Sequence, residues 1–91
     1  MNVREHNFSF GKVLIEDGIA IAEMNEGIVF DTKDNEQLLN YCEKKFKKEP
    51  YGYISYRTQS YAVDPTVYIQ TAKNSNIKAI AVVSINPMNK L

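Results

Sequence analysis

Arg57, Thr58, Gln59, Ser60 and Tyr61 form the densest run of chemically capable side chains in the chain. A guanidinium, two hydroxyls, a carboxamide and a phenol sit in five consecutive positions, and each donates or accepts hydrogen bonds. Such a cluster suits recognition of a partner or ligand more than bond-breaking chemistry. It contains no nucleophile paired with a base. On the preceding stretch Tyr51, Tyr53, Ser55 and Arg57 fall on one side of an extended chain, and Gly52, Ile54 and Tyr56 on the other. Two readings stand for Tyr53. It packs in a core with its hydroxyl at the rim, or it lines an interface or shallow pocket with Arg57 and Tyr61.

Other chemistry finds little support. One histidine, His6, and one cysteine, Cys42, are too few for a structural zinc site, and no His/Glu helical pair offers a catalytic one. No metal and no cofactor is expected. His6 precedes the first expected strand and reads as a solvated surface residue. Cys42 lies on an apolar stripe with nothing near it in sequence to lower its pKa, so it reads as a small buried thiol. The glycines, Gly11, Gly18, Gly27 and Gly52, stand singly, and neither phosphate-cradling motif can be built from them. Asp64 would repel an anion from the helix that begins beside it. With 11 basic and 11 acidic residues the net charge is zero, which gives nucleic-acid binding by counterion release little to work with. The lysines from Lys44 to Lys48 are interrupted by Phe46 and flanked by Glu43 and Glu49, as in a solvated helix end.

The elements that would position the Arg57–Tyr61 cluster are readable. Phe8, Phe10, Val13 and Ile15 suggest a first strand, broken or bulged near Gly11. Asp17-Gly18 suits a tight hairpin turn into a second strand, Ile19 to Met24. Asp31 is a helix N-cap, and Leu38, Leu39, Cys42 and Phe46 follow at helical spacing until Pro50 forbids more helix. Tyr51 to Tyr56 is a third strand. Asp64-Pro65 starts a second helix, with Tyr68, Ile69 and Ala72 as its narrow buried face. Ile77 to Ile85 is an almost continuous apolar strand of the kind covered on both faces, stopped by Asn86-Pro87.

This order, strand-strand-helix-strand-helix-strand, predicts one α/β domain over residues 1–91. It has a mixed four-stranded sheet, an antiparallel hairpin followed by parallel strands, with right-handed crossovers. Sequential strand order would put both helices on one face and leave the other bare, so a second copy or a further segment is expected to cover it. The cluster falls at the carboxyl edge of the parallel strands, where ligands usually dock. No apolar run reaches the roughly 18 residues of a membrane span. The amino end lacks the order of a signal peptide, and the single cysteine fits a reduced cytoplasmic setting. The Asn7-Phe8-Ser9 glycosylation triplet is then incidental.

The Asp17-Gly18 hairpin, the helix after Asp31, Tyr51-Gly52-Tyr53-Ile54-Ser55, Asp64-Pro65 and Ala79-Ile80-Ala81-Val82-Val83 together resemble the STAS domain of bacterial anti-sigma-factor antagonists. The likeness is closest to small stand-alone STAS/SEC14-like proteins. It implies a non-enzymatic regulatory or protein-interaction module, with a partner meeting the loop after the third strand at Tyr53, Arg57, Gln59 and Tyr61. In the antagonists a serine of an Asp-Ser-Ser/Thr motif in that loop is phosphorylated. Here Thr58 and Ser60 are the positional candidates, with no acidic residue before the serine. Family members usually continue into a further helix, which this chain is expected to lack. The alternative reading is a small apolar-ligand or lipid binder of SEC14-like type. An enzyme using Arg57, Tyr61 or Asp64 comes third. A protein partner or a homodimer is expected, and nucleic acid is not.

Overall fold

The computed structural model describes residues 4–84. Seven strands and two helices follow one another: β1 Arg4–Phe8, β2 Gly11–Glu16, β3 Ile19–Met24, β4 Val29–Phe30, α1 Thr32–Lys45, β5 Tyr51–Arg57, β6 Ala62–Val63, α2 Thr66–Ala72 and β7 Ile77–Ser84. The main sheet has five strands in the order β1-β2-β3-β5-β7, and β4 and β6 form a separate two-residue parallel pair. β1, β2 and β3 are antiparallel in turn, while β3, β5 and β7 are parallel. The α/β class, the mixed sheet and the sequential order all match the expectation.

The strand count does not. Phe8 to Ile15 was expected to be one broken strand, but the chain reverses completely at Ser9-Phe10, and Phe8 pairs with Gly11 across the turn. Asn25 holds this reversal from the neighbouring loop. Its backbone N–H donates to the Phe10 carbonyl at 2.9 Å and its side chain to the Ser9 carbonyl at 3.2 Å. Stacking of Phe8 on Phe10, 4.8 Å between ring centres, closes the corner. His6 therefore lies within β1, not ahead of the sheet. It is exposed, yet its ring stacks on Tyr41 of α1 at 4.5 Å.

Local chemistry explains the remaining elements. At the β2–β3 turn both Asp17 and Gly18 have positive φ, 47° and 79°, the conformation a two-residue hairpin with the right twist requires. Asp31 caps α1 by accepting from the Asp34 N–H at 2.9 Å, and the Asp34 carboxylate accepts in return from the Asp31 N–H at 3.4 Å. At α2 the N-cap position falls on Pro65, not on Asp64 as expected, and Asp64 one residue earlier accepts from the Thr66 N–H at 3.0 Å and from its hydroxyl at 2.7 Å.

One core unites both helices with one face of the sheet. Val13 and Ile15 of β2, Ala20, Ala22 and Met24 of β3, and Tyr51 and Tyr53 of β5 pack with Leu38 and Cys42 of α1 and Val67 of α2. Their partners across the strands are in register, so all these sheet residues share a face. On the other face Leu14, Ile21, Ile54, Tyr56 and Val83 floor an open trough of about 430 Å³. No described residue covers it.

Two burial expectations fail. Tyr68 and Ile69 of α2 are 61% and 59% exposed, and the helix buries Val67 instead. The cause is Asn35 of α1, which is buried and draws Gln70 and Thr71 inward by hydrogen bonds at 2.8 and 3.0 Å. That clasp rotates the apolar residues outward. β7, expected to be covered on both sides, is an edge strand exposed along nearly its whole length, with Ile80 53% and Val82 62% exposed. The expected end of this strand at Asn86-Pro87 lies outside the described residues.

Candidate functional site

β5 carries the chain from the core to the candidate site. Tyr51 and Tyr53 are buried at its start, and the alternation that points them toward the helices also directs Ser55 and Arg57 to that face near the carboxyl edge. The following loop is tied down from two sides. The Gly27 N–H donates to the Ser60 carbonyl at 2.8 Å, and Ala62 N–H and Asp64 N–H donate to the Ile28 and Phe30 carbonyls, both at 3.0 Å. The β4–β6 pair is thus the anchor that shapes the loop. Gly27 meets it with a φ of 79°, a conformation that favours glycine.

Within this frame the side chains divide into anchored and presented groups. The Arg57 guanidinium lies 4.4 Å from the Tyr61 ring centre, and its Nη2 donates to the Tyr61 carbonyl at 3.2 Å. Stacking and hydrogen bond together fix the loop's span. The Thr58 hydroxyl donates to the Glu23 carboxylate on β3 at 2.6 Å. Glu23 in turn faces Lys12 at 3.9 Å, and Lys12 pairs with Glu5 at 3.4 Å. Gln59 and Ser60 are exposed. Together with Glu26 and Ser84, the loop borders an open polar hollow of about 490 Å³.

The structure therefore brings Arg57, Thr58, Gln59, Ser60 and Tyr61 to one polar hollow, which Tyr53 does not line, while Tyr53, Arg57 and Tyr61 share a second cleft. Tyr53 is a core residue, and this cleft is narrow, about 100 Å³, between α2 and the sheet. Met24, Phe30, Val67, Ile80 and Val82 line the same cleft, and Arg57 and Tyr61 stand between it and the polar hollow. Burial, with the nearby Cys42 and Tyr61 adding to it, pushes the Tyr53 phenol well above its ordinary range. It is a neutral hydroxyl at any physiological pH.

Glu23, Glu26 and Ser84 were not recognised in the sequence. The parallel register of β3, β5 and β7 locates two of them, since Glu23 follows Ala22, which pairs with Ser55, and Ser84 pairs with Arg57. A strand order alone would have found both. Glu26 belongs to a turn, and no periodicity marks it.

The thiol of Cys42 is buried in the core, and burial raises its pKa to about 12. It has no thiolate character near neutrality. Asp64 is half-buried, and the Thr66 backbone and side-chain donors hold its carboxyl below the usual range. A carboxylate thus occupies the start of α2. Among the described residues no group of three or more His, Cys, Asp or Glu could hold a metal ion, and no helix is long and apolar enough to cross a membrane.

No protein-family model, no curated protein and no solved structure matches this chain.

Proposed function

We propose that the chain is a non-enzymatic interaction module of STAS-like kind that docks a partner at the Arg57–Tyr61 loop. One observation carries this reading. The loop is tied by Arg57 on Tyr61 and by Thr58 on Glu23, while the side chains of Gln59 and Ser60 are exposed to meet another molecule. Preorganised loops with outward polar groups bind at low entropic cost. The hydroxyl–carboxylate pair at the edge of the hollow, Thr58 on Glu23, serves in this reading as an anchor of the loop. The fifth sheet strand and the absence of an acidic residue before Ser60 are departures from the antagonist pattern.

Of the two positional phosphoacceptors, Ser60 is the better placed. Its side chain is exposed, whereas the Thr58 hydroxyl already serves Glu23, and a phosphate there would face that carboxylate. A second copy of the chain is among the partners this reading admits. A reduced cytoplasmic setting fits the lone buried thiol.

A photo-crosslinking side chain at Gln59, compared with one at Asp17, tests the docking surface in the native host. Asp17 lies at the opposite end of the strands, beside Gly18, whose carbonyl accepts from the N–H of Gly52 near the start of β5. Adducts should form at Gln59 and disappear in Arg57→Ala. Equal labelling at both positions would remove the reading. So would adducts that persist in Arg57→Ala.

The trough floored by Leu14, Ile21 and Ile54 favours a second reading, a binder of an apolar ligand or lipid. Its volume is within the range of small-molecule sites, but it is open, and the enclosed cleft beside Tyr53 is well below that range. Organic extraction of protein purified from its host, followed by mass spectrometry, separates the two. A stoichiometric apolar molecule would favour the second.

A further inference from the structure

The two edges of the main sheet differ in the way that matters for association. An edge strand exposes a row of unpaired backbone N–H and C=O groups, and proteins usually guard such a row with charge, proline or a bulge. On β1 the exposed Glu5, His6 and Asn7 are polar or charged, and Glu5 is paired with Lys12. β7 carries one charge, Lys78, at the irregular step beside Tyr51 and Gly52, and from Ala79 to Val83 it is wholly apolar. Apolar surface gathers at the same edge. Of the seven large apolar residues exposed among those described, five lie on β7 or α2: Tyr68, Ile69, Ile80, Val82 and Val83.

The geometry points to a two-fold dimer in which β7 of one copy pairs antiparallel with β7 of another, centred on Ala81, joining two five-stranded sheets into one. This deepens the self-association admitted above by assigning its surface and register, and it does not depend on the docking loop. A two-fold axis through an edge requires antiparallel pairing of the same strand with itself. Centred on Ala81, the register sets Ile80 opposite Val82, Ala79 opposite Val83 and Lys78 opposite Ser84. Helix-face residues then meet helix-face residues, and like charges do not oppose each other. Moving the centre by one residue either way would set Val82 against Lys78 or Ile80 against Ser84. The exposed Tyr68 and Ile69 of the two α2 helices lie on the same side as the Ile80–Val82 rows. A second copy thus supplies apolar side chains where this edge is apolar and a neutral partner for its single charge.

A charge exchange tests the register. Ile80→Glu and Val82→Lys each place one charge at a position already exposed, so the monomer has room for them. Sedimentation from low to about 100 micromolar protein should show a monomer–dimer equilibrium for the unchanged chain. Each single variant should weaken it by about tenfold or more, and the double variant should recover most of the loss, because each introduced carboxylate faces an introduced ammonium across the axis. A chain that remains monomeric overturns the inference. Dimers indifferent to both single variants, or a double variant no better than either, overturn it as well. Hydrogen exchange on the unchanged chain gives an independent reading free of folding defects. Protection of amides between Ala79 and Ser84 should rise with protein concentration, and protection that is constant would count against the interface.

Discussion

Asn35 of α1 donates from its side-chain nitrogen to the Gln70 carboxamide oxygen at 2.8 Å, and Gln70 answers by donating to the Thr32 carbonyl at 3.3 Å. This reciprocal clasp joins the two helices over the sheet, with Asn35 only 2% exposed. A buried carboxamide that is satisfied specifies orientation, and one left without partners is costly. The clasp, more than hydrophobic pattern, sets the rotation of α2.

Asn35→Ala should therefore destabilise the fold by about 1–3 kcal/mol, chiefly by stranding Gln70 and Thr71 beside a void. Urea denaturation gives the magnitude. Amide spectra should change along α2 far more than along β1 and β2. A loss spread evenly over the molecule would mean that the clasp does not set the helix orientation.

Thr58 and Glu23 form the loop's second anchor, and the charge on one side makes it directional. Thr58→Asp should loosen the loop by placing a carboxylate against Glu23 in place of a donated proton. Adding Glu23→Gln should restore much of the order by supplying a donor in place of the second carboxylate. Hydrogen exchange from Thr58 to Ala62 reads both effects. If Thr58→Asp leaves exchange in the loop unchanged, the contact has no anchoring role.

How far the sequence reveals this molecule depends on where the deciding chemistry lies. The Asp17-Gly18 turn and the Asp31 cap carry their own instructions, because the residues that need a special conformation also supply it. The reversal at Ser9-Phe10 does not, since neither residue has positive φ and the turn is held by Asn25, sixteen positions away from Ser9. α2 has seven residues, too few for periodicity to outweigh one long-range polar clasp. The apolar run of β7 has the same pattern whether a strand is buried or is an unguarded edge, and only its place in the sheet distinguishes them. The Arg57–Tyr61 cluster was legible because it is continuous in sequence. Its anchors on β3 and at Gly27 were not, because parallel pairing joins positions more than thirty residues apart.

Gly11 tests the front of the sheet. A Cβ at this position would meet the backbone of β3, against the Glu23 carbonyl oxygen and 2.8 Å from Met24 Cα. These are backbone atoms in a paired strand and cannot swing aside. Gly11→Ala should cost roughly 2 kcal/mol or more and lower the thermal midpoint by several degrees. Gly52→Ala provides the comparison, because a Cβ there would find only the Ile19 side chain, at 3.8 Å. Similar melting of the two variants would exclude backbone crowding as the reason for glycine at position 11.

The buried acids of the core set the response to alkali. Burial is the main cause that raises Cys42 from an ordinary value of 9.0 to about 12, and it raises Tyr51 and Tyr53 above the usual phenol range. Burial of the Tyr51 hydroxyl, with Cys42 and Glu43 close by, disfavours a phenolate there more than the Asn74 side chain favours it. In each case the folded protein holds its proton where the unfolded chain has released it. The native state then binds more protons than the unfolded state, and stability falls as pH rises. The contribution of Cys42 is fully present below pH 9.0 and is lost progressively toward about 12, with the tyrosines extending the decline above their own ordinary value of 10.0. Urea midpoints should be flat with respect to these groups from pH 7 to 8.5 and fall steadily above about pH 9. Cys42→Ala should lower stability at neutral pH by leaving a small void, yet flatten the first part of the alkaline slope. A slope identical in the variant and the parent would place the alkaline loss elsewhere, and would mean that the Cys42 thiol ionises as readily in the folded protein as in the unfolded chain.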